Sequence, residues 1–481
     1  MGARMSDSTD GDGTESESTH VDVVTAFLRH RGEILLLRRS GAVGTYTGQW
    51  GGVSGFVEGD PDTQVRTEIR EETGLSDAEI DLVRAGRPVS VTDPDLDREW
   101  TVHPYLFDAD SRDVDLSEEH DALEWTPPTT ICTDPDRQTV PALWTAYERV
   151  APTVRSITAD DEHGAAALSI RALEVLRDRA GLVVAERANS DDDGGDDADR
   201  HGVAGADTDT DTDIDIGVDV NADEEWAELT ALAERLLEAR PSMAVLRNRV
   251  NRAMATATED LDTEAVPDAR AVLESTLAGI ERATAADDDA GATAADVIDG
   301  AVLTLSRSGT VVDALRAGAP SRVFVAESRP ALEGVDVAEE LAAGTVDCPV
   351  TLHTDAAAAH VLATESIDRV LVGADTIRHD GAVVNKTGTR ALAVAAAHED
   401  VPVTVVAATD KVSTREEVAL ESAARDAVYN GDAAVDVLNP TFDVTPADCV
   451  TEFATEQGML APAEIEGIAE DLRALESWRD R

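Results

Sequence analysis

The 481-residue chain carries 40 basic and 98 acidic residues, a formal net charge of −58, and 42% of its residues are hydrophobic. That length and apolar content predict two to four soluble domains with buried cores. The absence of a long apolar run, a secretory leader or a Lys/Arg cluster argues against a membrane span, export and direct binding of nucleic acid, so we expect a cytoplasmic protein.

The acidic excess is spread over the whole chain. At ordinary ionic strength such self-repulsion opposes compaction, whereas molar salt shortens the Debye length to about 3 Å. The composition therefore fits the cytoplasm of an extreme halophile. Lysine is almost absent: the chain has only Lys386 and Lys411, compared with thirty-eight arginines. Cys132, Cys348 and Cys449 lie far apart without metal-ligand or disulfide spacing, and free thiols are expected.

The first 150 residues divide into a polar leader and a compact domain. Residues 1–20 are rich in Asp, Gly, Ser and Thr and are predicted to be disordered. Residues 21–150 show mostly strand patterns, beginning with a hairpin, and include a helix at about 61–74 and a closing helix at 140–150. These patterns predict an α+β domain.

The helix near residue 61 carries three carboxylates, Glu68, Glu71 and Glu72. Spacings of three and four residues place them on one helical face. Three like charges repel unless a cation holds them, and oxygen ligands suit Mg²⁺ or Mn²⁺. Such a metal site is able to bridge a diphosphate and to position or deprotonate a water molecule. A solvated glutamate face is the alternative interpretation.

This stretch resembles the Nudix box, and the matching positions are Gly55, Glu68, Ile69, Glu71, Glu72, Gly74 and Leu75. The resemblance extends over about 20–150. It implies a metal-dependent pyrophosphohydrolase of a nucleoside-diphosphate-linked compound, with Gly55, Glu68, Glu71 and Glu72 at the metal and one of the glutamates as the base. Thr67 replaces the family's Arg, which orients the glutamates, and the spacer from Gly55 to the helix is short. Both departures concern activity more than fold.

A helical subdomain is predicted for residues 155–290. Helical periodicity covers 162–182 and resumes at Glu224. Between these helices, an acidic tract of alternating Thr and Asp at about 189–223 cannot bury a core and is predicted to be a disordered insertion.

Residues 291–475 alternate short β-branched runs with helical stretches, and the runs are AVLTLS, RVFVAE, PVTLHT, RVLVGAD and PVTVVAAT. Such alternation predicts buried parallel strands in an α/β doubly wound, Rossmann-like sheet. Ligands bind beyond the carboxyl ends of these strands. We therefore expect one crevice lined by the polar residues at the strand ends: Ser306, Arg307, Glu327, Arg329, Asp355, Asp375, Asp410 and Lys411.

Both lysines fall in this part of the chain. A lysine ammonium is a compact point charge suited to a phosphate or sugar oxygen, whereas arginine presents a planar fork. Lys386 follows Asn385 near the start of a predicted helix, where backbone N–H groups favour an anion. Lys411 follows a predicted strand. The two lysines are therefore predicted to bind phosphate, unless they persist by accident at permissive positions.

The C-terminal part resembles the family of translation initiation factor 2B alpha, beta and delta subunits, which shares its fold with ribose-1,5-bisphosphate isomerase and methylthioribose-1-phosphate isomerase. The matching stretches, over about 160–470, are ARPSMAVLRNRV, VLTLSRSGTVVDALR, VFVAESRPALEG, VLVGADTI, GAVVNKTGTRALA and NPTFDVTPADCVTEFATEQG. The resemblance implies a homo-oligomer by analogy, with initiation factor 2 as a partner in its translational branch. It also implies a phosphorylated small molecule bound by Arg240, Ser306, Arg307, Arg329, Asn385, Lys386 and Lys411.

The isomerase branch transfers protons with a Cys after Thr-His and with an Asp in Gly-Ala-Asp. Asp375 matches that Asp, whereas Ser306 stands at the Cys position and Arg307 where the isomerases carry Asn. A serine hydroxyl transfers protons poorly near neutral pH, which favours the non-isomerase branch. Three functions stay open: a Nudix hydrolase with a sugar-phosphate-binding crevice, a non-catalytic regulatory protein, and an isomerase that uses Asp375 with a replacement proton carrier.

Overall fold

A computed structural model of the protein describes residues 19–94, 96–160, 163–193, 222–259, 261, 265–417 and 420–480. The chain divides into two compact units, Met1–Ala151 and Pro152–Arg481. Most of the two segments predicted to be disordered, 1–20 and about 189–223, lies outside the described residues. Their described edges contradict the prediction, because 19–20 belong to a strand and 189–193 and 222–223 belong to helices. None of the described helices is both long enough and apolar enough to cross a lipid bilayer.

The first unit is built on a mixed sheet whose eight strands are β1 (Thr19–His30), β2 (Glu33–Arg39), β3 (Trp50–Gly51), β4 (Val53–Phe56), β5 (Ile80–Ala85), β6 (Val89–Asp93), β7 (Arg98–Ala109) and β8 (His120–Thr126). The main path runs β3-β2-β1-β7-β5, while β4 pairs with β1, β6 with β7 and β8 with β2. The predicted hairpin is confirmed as the antiparallel pair β1 and β2. The long central pair, β1 and β7, is parallel.

Helices cover both faces of this sheet, and they are α1 (Pro61–Thr73), α2 (Thr130–Thr133) and α3 (Leu143–Glu148). The prediction of α1 is confirmed: Pro61 occupies its first turn, and Gly74 ends it in the left-handed conformation at a φ of 75°. Val65 and Ile69 of α1 pack into one apolar core. Tyr147 of α3 packs into a second core. The α+β fold predicted for this part is confirmed.

The second unit contains a seven-stranded sheet formed by β9 (Ala301–Leu305), β10 (Arg322–Ala326), β11 (Val350–His353), β12 (Arg369–Val372), β15 (Val403–Val406), β17 (Glu452–Thr455) and β18 (Gly458–Leu460). Its order is β11-β10-β9-β12-β15-β17-β18. The first six strands are parallel, and β18 pairs antiparallel with β17. All five predicted β-branched runs form strands, so the doubly wound sheet is confirmed.

A small antiparallel sheet follows β12 and is formed by β13 (Thr376–Ile377), β14 (Val383–Lys386) and β16 (Phe442–Thr445). The helices of the second unit are α4 (Val154–Ala159), α5 (Ala165–Asp193), α6 (Ala222–Ala239), α7 (Ala244–Ala257), α8 (Ala269–Ala295), α9 (Gly309–Ala317), α10 (Glu333–Glu340), α11 (Ala358–Thr364), α12 (Thr389–His398) and α13 (Ile465–Ala474). An apolar core joins α4 to α8 into the predicted helical subdomain. Separate cores fill the two faces of the parallel sheet.

Candidate functional sites

The first candidate site lies where α1 packs against β4. The carboxylate of Glu68 lies against the backbone of Gly55 so closely that a Cβ atom there would be 2.0 Å from the Glu68 Cδ. Gln64 Nε2 donates to Glu68 Oε1 at 2.7 Å. The Ser54 N–H donates to Glu72 Oε2 at 3.4 Å. The bare backbone of Gly55 thus makes room for the first carboxylate of the cluster.

Glu68 and Glu72 form a half-buried acidic pair. Glu72 is only 4% exposed, and burial, together with the negative charge of Glu68, raises the pKa of Glu72 to about 9. Burial is also the main cause of the raised pKa of Glu68. Two carboxylates that oppose each other's ionisation are stabilised by a cation, and oxygen donors of this kind fit Mg²⁺ or Mn²⁺.

Glu71 differs from this pair in that its side chain is exposed to solvent, although its negative charge also contributes to the raised pKa of Glu68. Among the residues that the structure describes, no three carboxylate, thiolate or imidazole groups converge as a complete metal site. The structure therefore brings Gly55, Glu68 and Glu72 together. Helical spacing located all three glutamates on α1 but did not predict their different burial.

Thr67 stands at the position where the Nudix family carries an arginine. Thr67 donates its hydroxyl proton to a backbone carbonyl one turn earlier in α1. Arg66 forms an ion pair with Asp77 at 3.0 Å and so is engaged elsewhere. The arginine whose positive charge lowers the pKa of Glu72 is Arg39, at the end of β2.

His120 is a neighbour of the acidic pair that the sequence did not single out. Its Nε2 lies 3.8 Å from Glu72 Oε2, and its side chain is 2% exposed. Burial, with a contribution from the positive charge of Arg39, lowers the pKa of His120 to about 4, so its imidazole is neutral at pH 7. Glu119, next to it in sequence, adds to the negative potential at Glu68. The pairing of β8 with β2 places His120 beside Arg39, and the Ser117 N–H, which donates to the Glu72 carbonyl, ties the segment before β8 to α1.

The second candidate site lies at the carboxyl ends of the parallel strands. The strand order reverses between β9 and β12, and a ligand crevice is expected at such a switch point. Ser306 directly follows β9, and Asp375 follows β12. Lys411 follows β15, the next strand. The sheet therefore brings three of the predicted residues to one edge.

The turn after β9 has an unusual backbone. Ser306 and Ser328 adopt the left-handed conformation at φ values of 62° and 61°, which costs free energy for residues other than glycine. The Ser306 N–H donates to Ser328 Oγ at 2.6 Å. Asp355 accepts the N–H groups of Ser328 and Arg329 at 2.8 and 2.7 Å. Asp355 therefore holds the turn after β10, and Ser328 of that turn fixes the N–H of Ser306.

Glu333, the first residue of α10, joins two of the predicted ligands. Ser306 Oγ donates to Glu333 Oε2 at 2.5 Å. Lys386 Nζ donates to Glu333 Oε1 at 2.7 Å. Sequence reasoning missed Glu333, although it lies in the stretch VFVAESRPALEG.

The N-terminus of α12 was expected to hold an anion from a ligand, and that expectation is wrong. The N–H groups of Gly388 and Arg390 donate to the carboxylate of Asp443 at 2.8 and 3.1 Å. The helix N-terminus is therefore capped by a carboxylate of the chain itself, on β16. No local pattern near residue 388 indicated this partner.

Lys411 differs from Lys386 in its surroundings. Lys411 is only 8% exposed, and its ammonium has no hydrogen-bond or ion-pair partner within the described part of the chain. Burial raises the pKa of Asp375, and the ammonium groups of Lys411 and Lys386 act in the opposite direction. Lys411 is therefore a buried cation available to an anionic ligand.

The loop that carries Lys411 is fixed by α7. Asn248 Nδ2 donates to the carbonyls of Asp410 and Val412, each at 2.7 Å. Arg252 Nη2 donates to Asp410 Oδ1 at 2.6 Å. Asn248 and Arg252 of α7 thus fix the segment that carries Lys411.

The other predicted ligands are placed differently. Arg240 Nε donates to the Ile157 carbonyl in α4 at 3.0 Å, a contact within the helical subdomain. Arg307 and Arg329 are exposed. Asn385 Nδ2 donates to Thr389 Oγ1 at 3.0 Å and so supports the turn before α12.

Two family models match the chain. The model of the Initiation factor 2 subunit family matches residues 200–462, and the NUDIX domain model matches residues 18–149. Methylthioribose-1-phosphate isomerase of Pseudomonas aeruginosa strain UCBPP-PA14 is 39% identical over 175 residues, which are 34% of this chain and 48% of the relative. The chain thus spans about half the length of that relative. The enzyme of the same name from Pseudomonas entomophila is 37% identical over 258 residues, 51% of this chain and 69% of the relative.

Two solved structures are also similar to this chain over about two thirds of its length. The Pyrococcus horikoshii OT3 translation initiation factor eIF-2B has a TM-score of 0.47 and 23% identity, over 64% of this chain and 95% of that chain. The 5-methylthioribose 1-phosphate isomerase of Pyrococcus horikoshii OT3 has a TM-score of 0.46 and 23% identity, over 67% of this chain and 86% of that chain.

Proposed function

Because the chain belongs to the Initiation factor 2 subunit family and carries a NUDIX domain in its first unit, we propose that it handles phosphate at two sites. The first unit is a pyrophosphohydrolase that cleaves a phosphoanhydride of a nucleoside-diphosphate-linked compound with Mg²⁺ or Mn²⁺. The second unit binds a phosphorylated sugar or nucleotide. The acidic pair of Glu68 and Glu72 beside Gly55 supports the hydrolase, since it combines clustered oxygen donors with a buried carboxyl group whose raised pKa a bound cation would lower.

The residues of the first unit divide the proposed work. Glu68 and Glu72 would hold the cation, and the backbone of Gly55 lies against the Glu68 carboxylate. When bound, the metal neutralises charge on the diphosphate. Glu71, which faces solvent, takes the proton of the attacking water. Arg39 contributes positive charge beside the acidic pair.

The hydrolase is tested with the full chain in molar KCl and Mg²⁺, against a panel of nucleoside diphosphate sugars, dinucleotides and nucleoside triphosphates. We expect release of a nucleoside monophosphate or of inorganic phosphate or pyrophosphate, and its loss in Glu72→Gln. Glu148→Gln is the matched control, because Glu148 is an exposed glutamate of α3. An unreactive wild type, or an unimpaired Glu72→Gln variant, contradicts the proposal.

The sugar-phosphate site of the second unit rests on Lys411. A buried ammonium without a partner is costly unless an anion compensates it, and a phosphate oxygen at the crevice supplies that charge. Calorimetry in molar KCl with ribose 1,5-bisphosphate and 5-methylthioribose 1-phosphate measures this binding. Lack of heat with both sugars, and with ribose 5-phosphate, argues against the site.

An aldose–ketose isomerase is the second candidate for this unit. It is favoured by the position of Asp375 and Ser306 after the two neighbouring strands of the switch point, and by relatives that are named methylthioribose-1-phosphate isomerase. Conversion of the two aldose 1-phosphates to ketose phosphates, followed by phosphorus NMR, tests it. We expect Asp375→Asn to lose conversion while the control Asp347→Asn, at an exposed carboxylate, retains it.

We further propose that the chain acts in the cytoplasm as a homo-oligomer. Light scattering in molar KCl measures the assembly, and a monomer at micromolar concentration contradicts it. A role in translation requires binding to initiation factor 2, which a pull-down with that factor tests directly.

A further inference from the structure

Three side chains at the second site form one continuous chain of hydrogen bonds. The Ser306 hydroxyl donates to one oxygen of Glu333, and the Lys386 ammonium donates to the other, at 2.5 and 2.7 Å. Each end of the Glu333 carboxylate therefore has a defined partner. The contact with Ser306 Oγ therefore puts a carboxylate oxygen within proton-transfer distance of the hydroxyl.

The serine is held in place for this contact. Ser306 is 9% exposed and has a left-handed backbone, and its N–H is fixed by Ser328 Oγ. A glutamate at the start of a helix is also favoured by the helix dipole, but that effect does not require the hydroxyl of Ser306. The contact places a base directly behind a hydroxyl at the edge of the sheet where Asp375 also lies.

We propose that Glu333 is the proton acceptor of the second unit, and that it works through the hydroxyl of Ser306 during isomerisation of a ring-closed aldose 1-phosphate. The proposal rests on the isomerase function proposed above. In this proposal, two residues together replace the thiol of the isomerases. The Ser306 hydroxyl contacts the substrate, and Glu333 accepts the proton from that hydroxyl.

The proton transfers balance without an oxidant or a reductant. The bond between C1 and the ring oxygen breaks, its electron pair goes to the ring oxygen, and that oxygen takes the proton of Asp375. The C2 hydroxyl gives its proton to Ser306 Oγ as Ser306 passes its own proton to Glu333 Oε2. The hydrogen on C2 moves with its electron pair to C1, leaving a carbonyl at C2 and the phosphate on C1. Solvent returns the proton from Glu333 to Asp375.

The proton path from Ser306 to Glu333 is called the relay below. Two variants that interrupt the relay are compared with a third that makes it unnecessary. Glu333→Gln and Ser306→Ala should each lower kcat by about 10²–10⁴-fold, the usual range for loss of one acid–base group, with a much smaller change in KM. Glu339→Gln is the matched control, an exposed glutamate on the same helix, and should leave kcat unchanged.

The bypass uses Ser306→Cys. A thiol titrates near neutral pH and exchanges protons without help from a carboxylate. Loss of Glu333 should therefore cost far less in the Ser306→Cys background than in the wild type. A merely structural Glu333 would cost the same in both backgrounds, and that equality overturns the proposal.

The outcomes separate the proposal from the function on which it rests. If the wild type converts neither aldose 1-phosphate, the isomerase function is refuted and Glu333 has no such role. If the wild type converts them and Glu333→Gln is unimpaired, the isomerase stands and the relay alone is refuted. Circular dichroism of each variant shows that a loss of rate is not a loss of fold, and Ser306→Ala decides the case if Glu333→Gln does not fold.

Discussion

The two candidate sites differ in the kind of charged side chain that they bury. In the first unit, Glu68 and Glu72 place two carboxyl groups side by side, and burial, together with the negative charge of Glu68, raises the pKa of Glu72 to about 9. In the second unit, Lys411 is a buried ammonium without a partner in the described chain. The first arrangement favours phosphate only through a cation, whereas the second favours it directly. Each site thus carries the charge that its proposed ligand or metal compensates.

The same contrast appears between the two lysines of the second site. Lys386 is compensated by Glu333 at 2.7 Å, whereas Lys411 is not compensated by hydrogen bond or ion pair. A lysine retained in an arginine-rich chain therefore need not serve the ligand directly. The surroundings of the two ammonium groups differ: Lys386 is paired with a carboxylate of the chain, whereas Lys411 is left to bind a ligand anion.

The largest expected effect on either site is that of Gly55→Ala on hydrolysis by the first unit. Gly55→Ala places a Cβ about where the Glu68 carboxylate lies, so the carboxylate must move by an ångström or more. We expect hydrolysis to fall by about 10²-fold, as is usual for a displacement of this size, with little change in melting temperature because the displaced group ends a flexible side chain. Gly41→Ala, with open space around it, is the control. Normal hydrolysis by Gly55→Ala would remove the acidic pair from the mechanism.

A smaller effect is expected when the two lysines are replaced and the affinity for a sugar phosphate is measured. Lys411→Met should weaken binding of ribose 1,5-bisphosphate by about 10–100-fold, since a hydrogen bond to a charged group contributes about 1.5–3 kcal/mol. Removing the compensated pair together, in Lys386→Met with Glu333→Gln, should weaken binding less. Calorimetry measures both, and equal losses would contradict the distinction between the two ammonium groups.

The smallest expected change is a shift in pH dependence. The ammonium of Lys411 favours the ionised form of Asp375 and lowers its pKa, against the raising effect of burial. Removing that charge in Lys411→Met leaves the pKa of Asp375 higher. The alkaline limb of kcat, where Asp375 loses the proton that it donates, should then move to higher pH. Arg316→Met, an exposed and ion-paired arginine, should leave the limb in place. A limb that stays or moves down counts against the role of Asp375 as the acid.

Much of the fold was predictable because its causes are local. The periodicity of α1, its Pro61 start and its Gly74 end are set by residues within a few positions of each other. The five β-branched runs became strands of the parallel sheet for the same reason. Residues at the strand ends, such as Ser306 and Asp375, followed from this regularity, since parallel strands end at one edge.

The partners of these residues were not predictable in the same way. Glu333, His120 and Asp443 each act on a residue that is distant in sequence. Arg240 was expected at the ligand, yet its guanidinium contacts α4. A motif specifies which residue types are present, but only the packing of strands and helices decides which of them meet.

The sequence by itself determined the two domain types, the helix with its three glutamates, the polar strand ends and the retention of two lysines. All of these follow from residue type and short-range spacing. Only the tertiary structure decided that Glu72 is buried while Glu71 is exposed, that Asp443 occupies the N-terminus of α12, and that Glu333 compensates Lys386 but not Lys411. Burial and charge compensation depend on all neighbouring atoms, and those neighbours come from distant parts of the chain.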